Sequence, residues 1–332
     1  MLGRMRPARN TPKGESVQVP VPFDLDLTVR SHGFWDLEPW RYDEGRRVLS
    51  RPLRLAGGRT VLAEVAEAAG TGGGLALRVT AEGRLPPGAG SEVRRAMGVC
   101  LGIDEDLAPF YRLVEELERN GTRRRDPLPD LSWARLRGAG RLLRSPTVFE
   151  DAIKTLCTTN CSWSLTRTMV ARLVAELGDA APGGRRCFPT PEAMAARPER
   201  FYRQAIHAGY RAPYLRALAR DVAAGDLDPE AWRGSPLSTD DLGRDIRGVA
   251  GFGPYATEHL LRLLGRHDHL ALDSWNRKKL ARLRGRRRPP SDRSAQRWYR
   301  PYGRWAGLAM WLEVTADWHS GEPTWPPPEK AP

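Results

Sequence analysis

Residues 246–256 read IRGVAGFGPYA, with two glycines, Gly251 and Gly253, between two segments that carry apolar residues at helical spacing. Glycine permits a tight turn and a close approach of backbones, and Pro254 suits the first position of the next helix. Phe252 lies between the glycines, where its ring can pack between the two helices. The stretch therefore predicts a helical hairpin, and the backbone N–H groups at the start of its second helix can bind a phosphate oxygen.

A glycine turn of this kind is common in helical proteins, so its meaning depends on the residues downstream of it. Asp273 lies 18 residues after Tyr255 and directly before the helical segment that starts at Ser274, which is the position of an N-cap. An N-cap needs no chemistry, but the helix dipole also favours the ionised form of such a carboxylate. The hairpin, Tyr255 and Asp273 at this spacing resemble the helix-hairpin-helix, Gly/Pro-Asp signature of the endonuclease III superfamily of DNA glycosylases.

Three further segments are similar to the 8-oxoguanine glycosylases of that superfamily. Residues 157–160 end in Asn160 and resemble the segment whose Asn, in the family, faces the base left behind by flipping. Residues 209–214 include Tyr210 and Arg211 and resemble the family's wedge, whose Tyr and Arg enter the gap in the duplex. Residues 302–307 resemble the family's last helix, so the resemblance covers roughly residues 145–318. Each residue also has a plainer alternative: Asn160 as a helix cap, Tyr210 as a packing residue and Arg211 as a phosphate contact.

The resemblance implies a role for each matching position. Asp273 would be the catalytic carboxylate, which stabilises the oxocarbenium character that develops at the sugar as the glycosidic bond breaks. DNA would be bound by Gly251, Phe252, Gly253, Asn160, Tyr210, Arg211, Arg277 and Lys278. The pocket for the extruded base would be lined by Tyr255, Trp275, Met310 and Val314. Four tryptophans are either core residues or pocket residues that stack on an electron-poor alkylated base: Trp163, Trp275, Trp305 and Trp311.

The sequence departs from the family in ways that bear on activity. Tyr255 stands where bifunctional members have a Schiff-base lysine, so we expect base removal without strand cleavage by the lyase route. Met310 and Val314 replace a Gln and a Phe of the 8-oxoguanine pocket, and Leu165 replaces an Arg that reads cytosine. We therefore expect a monofunctional DNA glycosylase of base excision repair that acts on an alkylated, 3-methyladenine-type base. An 8-oxoguanine-type glycosylase and a non-catalytic lesion-binding protein are the alternatives.

The charge of the chain fits a polyanionic partner. Its 332 residues include 53 Lys and Arg against 40 Asp and Glu, a net charge of +13. Residues 275–300 alone hold 11 basic residues and one acid, Asp292. This segment predicts phosphate contacts whose affinity falls steeply with salt, with a solvated face or a loop as the alternative. The expected partner is double-stranded DNA that contains a damaged base, bound by a monomer.

Composition also bears on cofactors and membranes. The cysteines lack the spacing of zinc sites or iron–sulfur clusters, so no metal centre or other cofactor is expected. No apolar run approaches the roughly 20 residues of a membrane helix, and the polar, basic N-terminus does not resemble a secretory signal. We expect a cytoplasmic protein with no membrane partner, associated with the nucleoid if it is bacterial.

Hydropathy patterns predict an α+β protein in which a small antiparallel β domain precedes a larger all-α domain. Alternation at period two predicts four or five strands between residues 22 and 81, the first with Leu25, Leu27 and Val29. Thr147 and Glu150 form a T-x-x-E capping box at the start of a helix. The predicted boundaries are a disordered basic tail at 1–16, a β domain with a helix at 17–105, the helix-hairpin-helix domain at 106–320 and a Pro-rich disordered tail at 321–332.

Overall fold

The structure is a computed structural model that describes residues 15–68, 74–120 and 127–319. The tail predicted for residues 321–332 and most of the tail predicted for residues 1–16 lie outside these ranges. Glu15 and Ser16, the last two residues of the predicted N-terminal tail, begin a strand instead. The domain boundary at residues 105 and 106 stays a prediction.

The predicted order of a β-rich part followed by a helical part is confirmed. The strands are β1 (Glu15–Gln18), β2 (Arg41–Asp43), β3 (Val48–Arg54), β4 (Thr60–Glu67), β5 (Gly74–Ala81), β6 (Ala180–Ala181) and β7 (Arg185–Arg186). The helices are α1 (Leu25–Val29), α2 (Ala89–Cys100), α3 (Ala108–Asn120), α4 (Ser132–Arg137), α5 (Val148–Thr158), α6 (Trp163–Leu177), α7 (Pro191–Ala195), α8 (Glu199–Gln204), α9 (Ala212–Ala224), α10 (Thr239–Gly248), α11 (Pro254–Leu263), α12 (Ser274–Leu283), α13 (Asp292–Tyr299) and α14 (Ala306–Thr315). None of these helices is long and apolar enough to cross a membrane.

The first five strands form one antiparallel sheet in the order β1-β5-β4-β3-β2. Alternate residues of β4, namely Val61, Ala63 and Val65, are buried, as expected for a sheet with one covered face. They share a hydrophobic core with Val93 and Met97 of α2. The helices enclose a second, larger core.

The first predicted strand is wrong, because Leu25, Leu27 and Val29 lie on the short helix α1. Asp24 caps this helix by accepting a hydrogen bond from the N–H of Leu27 at 3.0 Å. Leu25 and Val29 point into the core of the sheet, whereas Leu27 points into the core of the helices. A helix buried on two opposite faces places apolar residues at every second position, which explains the false strand pattern.

Three buried charged residues join the sheet to the helical part. Glu150 of α5 accepts a hydrogen bond from Arg51 of β3 at 2.8 Å and lies 2.7 Å from Nζ of Lys154. All three side chains are at most 3% exposed. Burial alone would raise the pKa of Glu150, but the charges of Arg51 and Lys154 lower it. Thr147 caps α5 as predicted, whereas the Glu150 carboxylate binds these cations.

The helical hairpin predicted from residues 246–256 is present between α10 and α11. Gly251 has a φ of +95°, and a Cβ there would lie 2.8 Å from Tyr214, so both the backbone conformation and the available space require glycine. Phe252 is buried in the helical core, as predicted. Gly253 is the N-cap of α11 and offers it no side-chain hydrogen bond. The first N–H groups of α11 are therefore left to solvent or to a ligand.

The chain between α11 and α12 is held tightly against α14. The N–H of Gly307 donates to the carbonyl oxygen of His267 at 2.6 Å. A Cβ at Gly307 would lie 2.0 Å from the carbonyl oxygen of His269, so glycine is required for α14 and this loop to approach so closely. The buried imidazole of His267 is hydrogen-bonded through Nε2 to the carboxylate of Glu105. These contacts fix the loop that leads to Asp273.

Candidate active site

A cavity of about 290 Å³ lies between the two parts of the fold. Its walls come from residues 32–34, the end of α5, α6, α11, the start of α12, and α14 with the turn after it. This volume is at the small end of the range for ligand pockets, which suits one flat ring system better than an extended ligand. Three of the residues predicted to form the site, Tyr255, Asp273 and Trp275, line this cavity.

Asp273 is the N-cap of α12, the position predicted for it. Its Oδ1 accepts a hydrogen bond from the backbone N–H of Asn276 at 2.6 Å. The Asn276 side chain in turn donates to the carbonyl oxygen of Ala271 at 2.9 Å, where the backbone has a left-handed φ of +44°. Asn276 thus fixes the turn before α12 through both its backbone and its side chain. The half-buried carboxylate of Asp273 lies at the positive end of the dipole of α12. One residue therefore caps a helix and presents a negative charge to the cavity.

Tryptophans form much of the apolar wall. The rings of Trp275, Trp311 and Trp318 contact one another, with centroids 5.6 to 6.4 Å apart. The indole N–H groups of Trp311 and Trp163 donate to oxygen atoms of the N-terminal part, at 2.9 and 2.8 Å. Trp163, Trp275 and Trp311 are therefore cavity residues, whereas Trp305 belongs to the core. The cavity can pack a flat ring against a fixed aromatic wall.

Tyr255 borders the cavity with a side chain that is 41% exposed and stacks on His259. Burial on the cavity side and the negative charge of Asp273 raise the pKa of Tyr255. No lysine is present among the described residues that line the cavity. Lys154, 5.8 Å from the Phe34 ring, is buried and paired with Glu150. The described cavity wall thus offers no amine for a Schiff base.

Two polar residues of the cavity escaped the sequence analysis. His259 and Arg262 follow Tyr255 on α11 at positions i+4 and i+7, so they share its helix face. This spacing was the signal that could have found them. Arg262 is only 5% exposed, and its guanidinium carbon lies 4.3 Å from the centre of the Trp311 ring.

The prediction that Met310 and Val314 line the pocket is wrong. Both side chains are fully buried in the helical core and do not border the cavity. Trp311, the next residue of α14, reaches the cavity instead. Each residue turns a helix by about 100°, so a match displaced by one position selects a different face.

Tyr210, Arg211 and Asn160 meet around the end of α5. Tyr210 is 48% exposed, and its hydroxyl group lies 3.1 Å from Oγ1 of Thr159 and 3.4 Å from Nδ2 of Asn160. Asn160 is exposed and has a left-handed φ of +45°. The predicted DNA contact of Arg211 is wrong: its side chain is 4% exposed and its guanidinium donates to the carbonyl and hydroxyl oxygens of Thr159. Arg211 instead supports the exposed tyrosine, whose ring lies 4.5 Å from its guanidinium carbon.

The basic segment at residues 275–300 is helical at both ends, in α12 and α13. Arg277 is bound to Asp292 and to the carbonyl oxygen of Pro290, so it joins the two helices. Arg284 likewise pairs with Glu313 at 3.0 Å. Lys278 is exposed. The segment is therefore partly structural, and Lys278 is more accessible to solvent than Arg277.

The described residues contain no group of three or more His, Cys, Asp or Glu side chains that could hold a metal ion. The four cysteines, Cys100, Cys157, Cys161 and Cys187, are free thiols. Burial raises the pKa of Cys100 and of Cys157 to about 12. These two thiols are therefore poor nucleophiles at neutral pH.

Comparisons of the sequence with protein-family models and with curated proteins give no match. The fold, in contrast, matches solved structures over nearly the whole chain. A 3-methyladenine DNA glycosylase from Archaeoglobus fulgidus has a TM-score of 0.70 at 18% identity, over 93% of this chain and 100% of that one. An 8-oxoguanine glycosylase/lyase from Clostridium acetobutylicum, in complex with double-stranded DNA containing cytosine opposite 8-oxoguanine, has a TM-score of 0.66 at 16% identity, over 93% of this chain and 97% of that one.

The chain therefore has the fold of the helix-hairpin-helix DNA glycosylases. The match includes the N-terminal sheet, because it covers more than nine tenths of the chain in each case. Within this fold the chain is similar to glycosylases of both the 3-methyladenine and the 8-oxoguanine type.

Proposed function

We propose that this chain is a monofunctional DNA glycosylase of base excision repair, which extrudes a damaged base from the duplex and hydrolyses its N-glycosidic bond. One observation carries the proposal. Asp273, at the helix N-terminus that comes after the glycine hairpin, lines a base-sized cavity with aromatic walls. The fold that the chain shares with known glycosylases supports the same function.

The proposed chemistry uses Asp273 as the catalytic carboxylate. Breaking the glycosidic bond leaves positive charge on the sugar, and a carboxylate beside the anomeric carbon stabilises that charge. The N–H of Asn276 fixes the orientation of Asp273, so little reorganisation is needed during the reaction. The base leaves with the bonding electrons, and the carboxylate orients the attacking water and accepts its proton as the new C–O bond forms. Because Tyr255 replaces the lysine of the lyases, the product is an abasic site in an intact strand.

DNA would lie across the hairpin and the start of α12. The uncapped N–H groups after Gly253 would bind a phosphate, and exposed Lys278 would add a second phosphate contact. Tyr210, on its turn before α9, would fill the space left by the extruded base, with Asn160 beside the unpaired partner base.

The cavity favours a damaged purine. The rings of Trp275 and Trp311 would pack against a flat base, which supports an alkylated purine as the substrate. An oxidised purine such as 8-oxoguanine is the second candidate, because the buried Arg262 can donate hydrogen bonds to a carbonyl oxygen.

The test is a panel of duplexes that carry single alkylated or oxidised purines, with abasic products revealed by alkali. We expect base release by the native protein and a loss of about 100-fold or more in Asp273→Asn, which keeps the helix cap and DNA binding. Asp228→Asn is the matched control, since Asp228 also caps a helical turn but lies outside the cavity wall. Base release by Asp273→Asn at the native rate would refute the catalytic role of Asp273, and no release by the native protein would leave only a lesion-binding role. Strand breaks before alkali is added would contradict the monofunctional assignment.

A further inference from the structure

The cavity wall holds a buried cation that the proposed chemistry does not use. Arg262 is 5% exposed and borders the cavity. Among the described residues its interactions are the stack on Trp311 and the more distant charges of Asp273 and Glu258, with no hydrogen bond and no ion pair. Burying a guanidinium without hydrogen-bond acceptors is costly. Such unsatisfied donors are expected where a ligand supplies the acceptors.

Arg262 is also the dominant positive charge of the cavity. Burial lowers the pKa of Arg262 to about 10, so the guanidinium remains charged at neutral pH. Burial and the charge of Arg262 lower the pKa of His259 well below its ordinary value, and burial lowers the pKa of His32 to about 4. Both imidazoles are therefore neutral. Among the described residues of the wall, Arg262 carries the positive charge and Asp273 the negative one.

A second polar group in the wall lacks a partner. Nε2 of His259 is buried and forms no hydrogen bond with the described residues. It lies one helical turn before Arg262 on the same face of α11. A base packed against the tryptophans would face the side of α11 that carries both residues, so its polar edge can accept hydrogen bonds from the guanidinium.

We propose that Arg262 is a specificity-determining residue, which admits uncharged purine lesions that present an acceptor atom and disfavours lesions with a fixed positive charge. This inference rests on the proposed function, because it takes the cavity to be the site of the extruded base. The acceptor would be a carbonyl oxygen or an unprotonated ring nitrogen. Two positive charges within a few ångströms in a poorly solvated site repel strongly. A neutral alkylated or oxidised purine is therefore preferred to one methylated at N7 of guanine, which is a cation.

The test separates charge from shape. Two duplexes differ only at one base: cationic 7-methylguanine, or its uncharged isostere 7-deaza-7-methylguanine. A 2′-fluorine on the sugar of both slows bond cleavage, so binding of the native protein can be measured without release. We expect the native protein to bind the uncharged duplex about tenfold more tightly or better.

Two substitutions assign the preference to Arg262. Arg262→Met keeps the length and removes the charge, and should abolish the preference. Arg262→Lys keeps the charge and should retain it. Arg220→Met, on the exposed part of α9, is the matched control and should behave as the native protein. Equal affinities for the two duplexes in the native protein, or a preference that survives in Arg262→Met, would overturn the inference.

The alternative is that Arg262 only positions Asp273 through its charge. In that case Arg262→Met would slow release of every damaged base equally and leave the binding ratio unchanged, which refutes a role in selection. The proposed function fails separately, if the native protein releases no base from the unfluorinated panel. A charge preference that depends on Arg262 would then still establish selection by a lesion-binding protein.

Discussion

Replacing Glu150 with Gln should leave two buried cations, Arg51 and Lys154, without their shared carboxylate. Gln has nearly the same size, so the change removes charge and little volume. Breaking a buried ion pair by removing one partner costs about 3–5 kcal/mol. Glu150 serves two cations at 2.8 and 2.7 Å, so we expect Glu150→Gln to lose at least about 4 kcal/mol of unfolding free energy. This is a large part of the roughly 5–15 kcal/mol that a native protein has.

Lys154→Met is the matched variant and should behave differently. Arg51, Lys154 and Glu150 together carry one excess positive charge, and removing the lysine leaves a balanced pair. Burial lowers the pKa of Lys154, which shows that its charge is costly to the fold. A methionine would pack near Phe34 and Phe188, whose ring centres lie 5.8 and 5.7 Å from Nζ. We expect a change within about 1 kcal/mol, since replacing buried charge by apolar groups is often neutral or stabilising.

Urea unfolding monitored by tryptophan fluorescence and circular dichroism measures both effects. The pKa of Glu150 is lowered in the folded state. The ionised carboxylate therefore contributes its full stabilisation of the fold above the ordinary carboxyl pKa, and this stabilisation is lost as the pH falls through the lower folded-state pKa. The difference between the native protein and Glu150→Gln should therefore shrink in acid. Equal losses of stability at pH 7 for Glu150→Gln and Lys154→Met would refute the reasoning.

Gly307→Ala should lower the free energy of unfolding by about 2 kcal/mol or more, because its Cβ would lie 2.0 Å from a backbone oxygen. Gly98→Ala on α2 is the control, since nothing lies within 4 Å of a Cβ there. Equal melting temperatures for the two variants would contradict the prediction. Burial raises the pKa of Asp151 to about 6, so its ionisation costs the folded state stability as the pH rises from about 4 to 6. Asp151→Asn should therefore be about 3 kcal/mol more stable than the native protein above pH 6, and the two proteins should be equally stable below pH 4. A stability difference that does not change with pH in urea titrations would count against this. Tyr255→Lys places an amine in the cavity wall and should allow borohydride to trap a covalent complex with damaged DNA, whereas Tyr255→Phe should give none.

The parts of the site that the sequence predicted depend on short-range signals. The turn at Gly251 needs a left-handed residue, Phe252 fills the space between two helices, and Asp273 caps the helix directly after it. Each property belongs to a few consecutive residues. The sequence alone therefore predicts the turn, the packing of Phe252 and the cap at Asp273, because none of them depends on a distant tertiary contact.

The parts that the sequence missed depend on how helices rotate and pack. Met310 and Trp311 are neighbours in sequence, but about 100° of rotation sends one into the core and the other to the cavity. Arg211 is buried because Thr159, far from it in sequence, accepts its hydrogen bonds. The position of Arg262 likewise depends on the rotation of α11 against α14, where Trp311 lies. The spacing from Tyr255 places Arg262 on the same helix face, but it does not show that this face meets Trp311.

The contribution of residues 32–34 to the cavity bears on how enzymes with this architecture diverge. His32 is anchored to the carbonyl oxygen of Leu143 at 2.6 Å, and the ring of Phe34 forms part of the cavity wall. Asp273, the proposed catalytic carboxylate, lies on the opposite part of the fold, at the start of α12. Substitutions at residues 32–34 would therefore change the shape of this cavity without altering Asp273 or the turn that holds it.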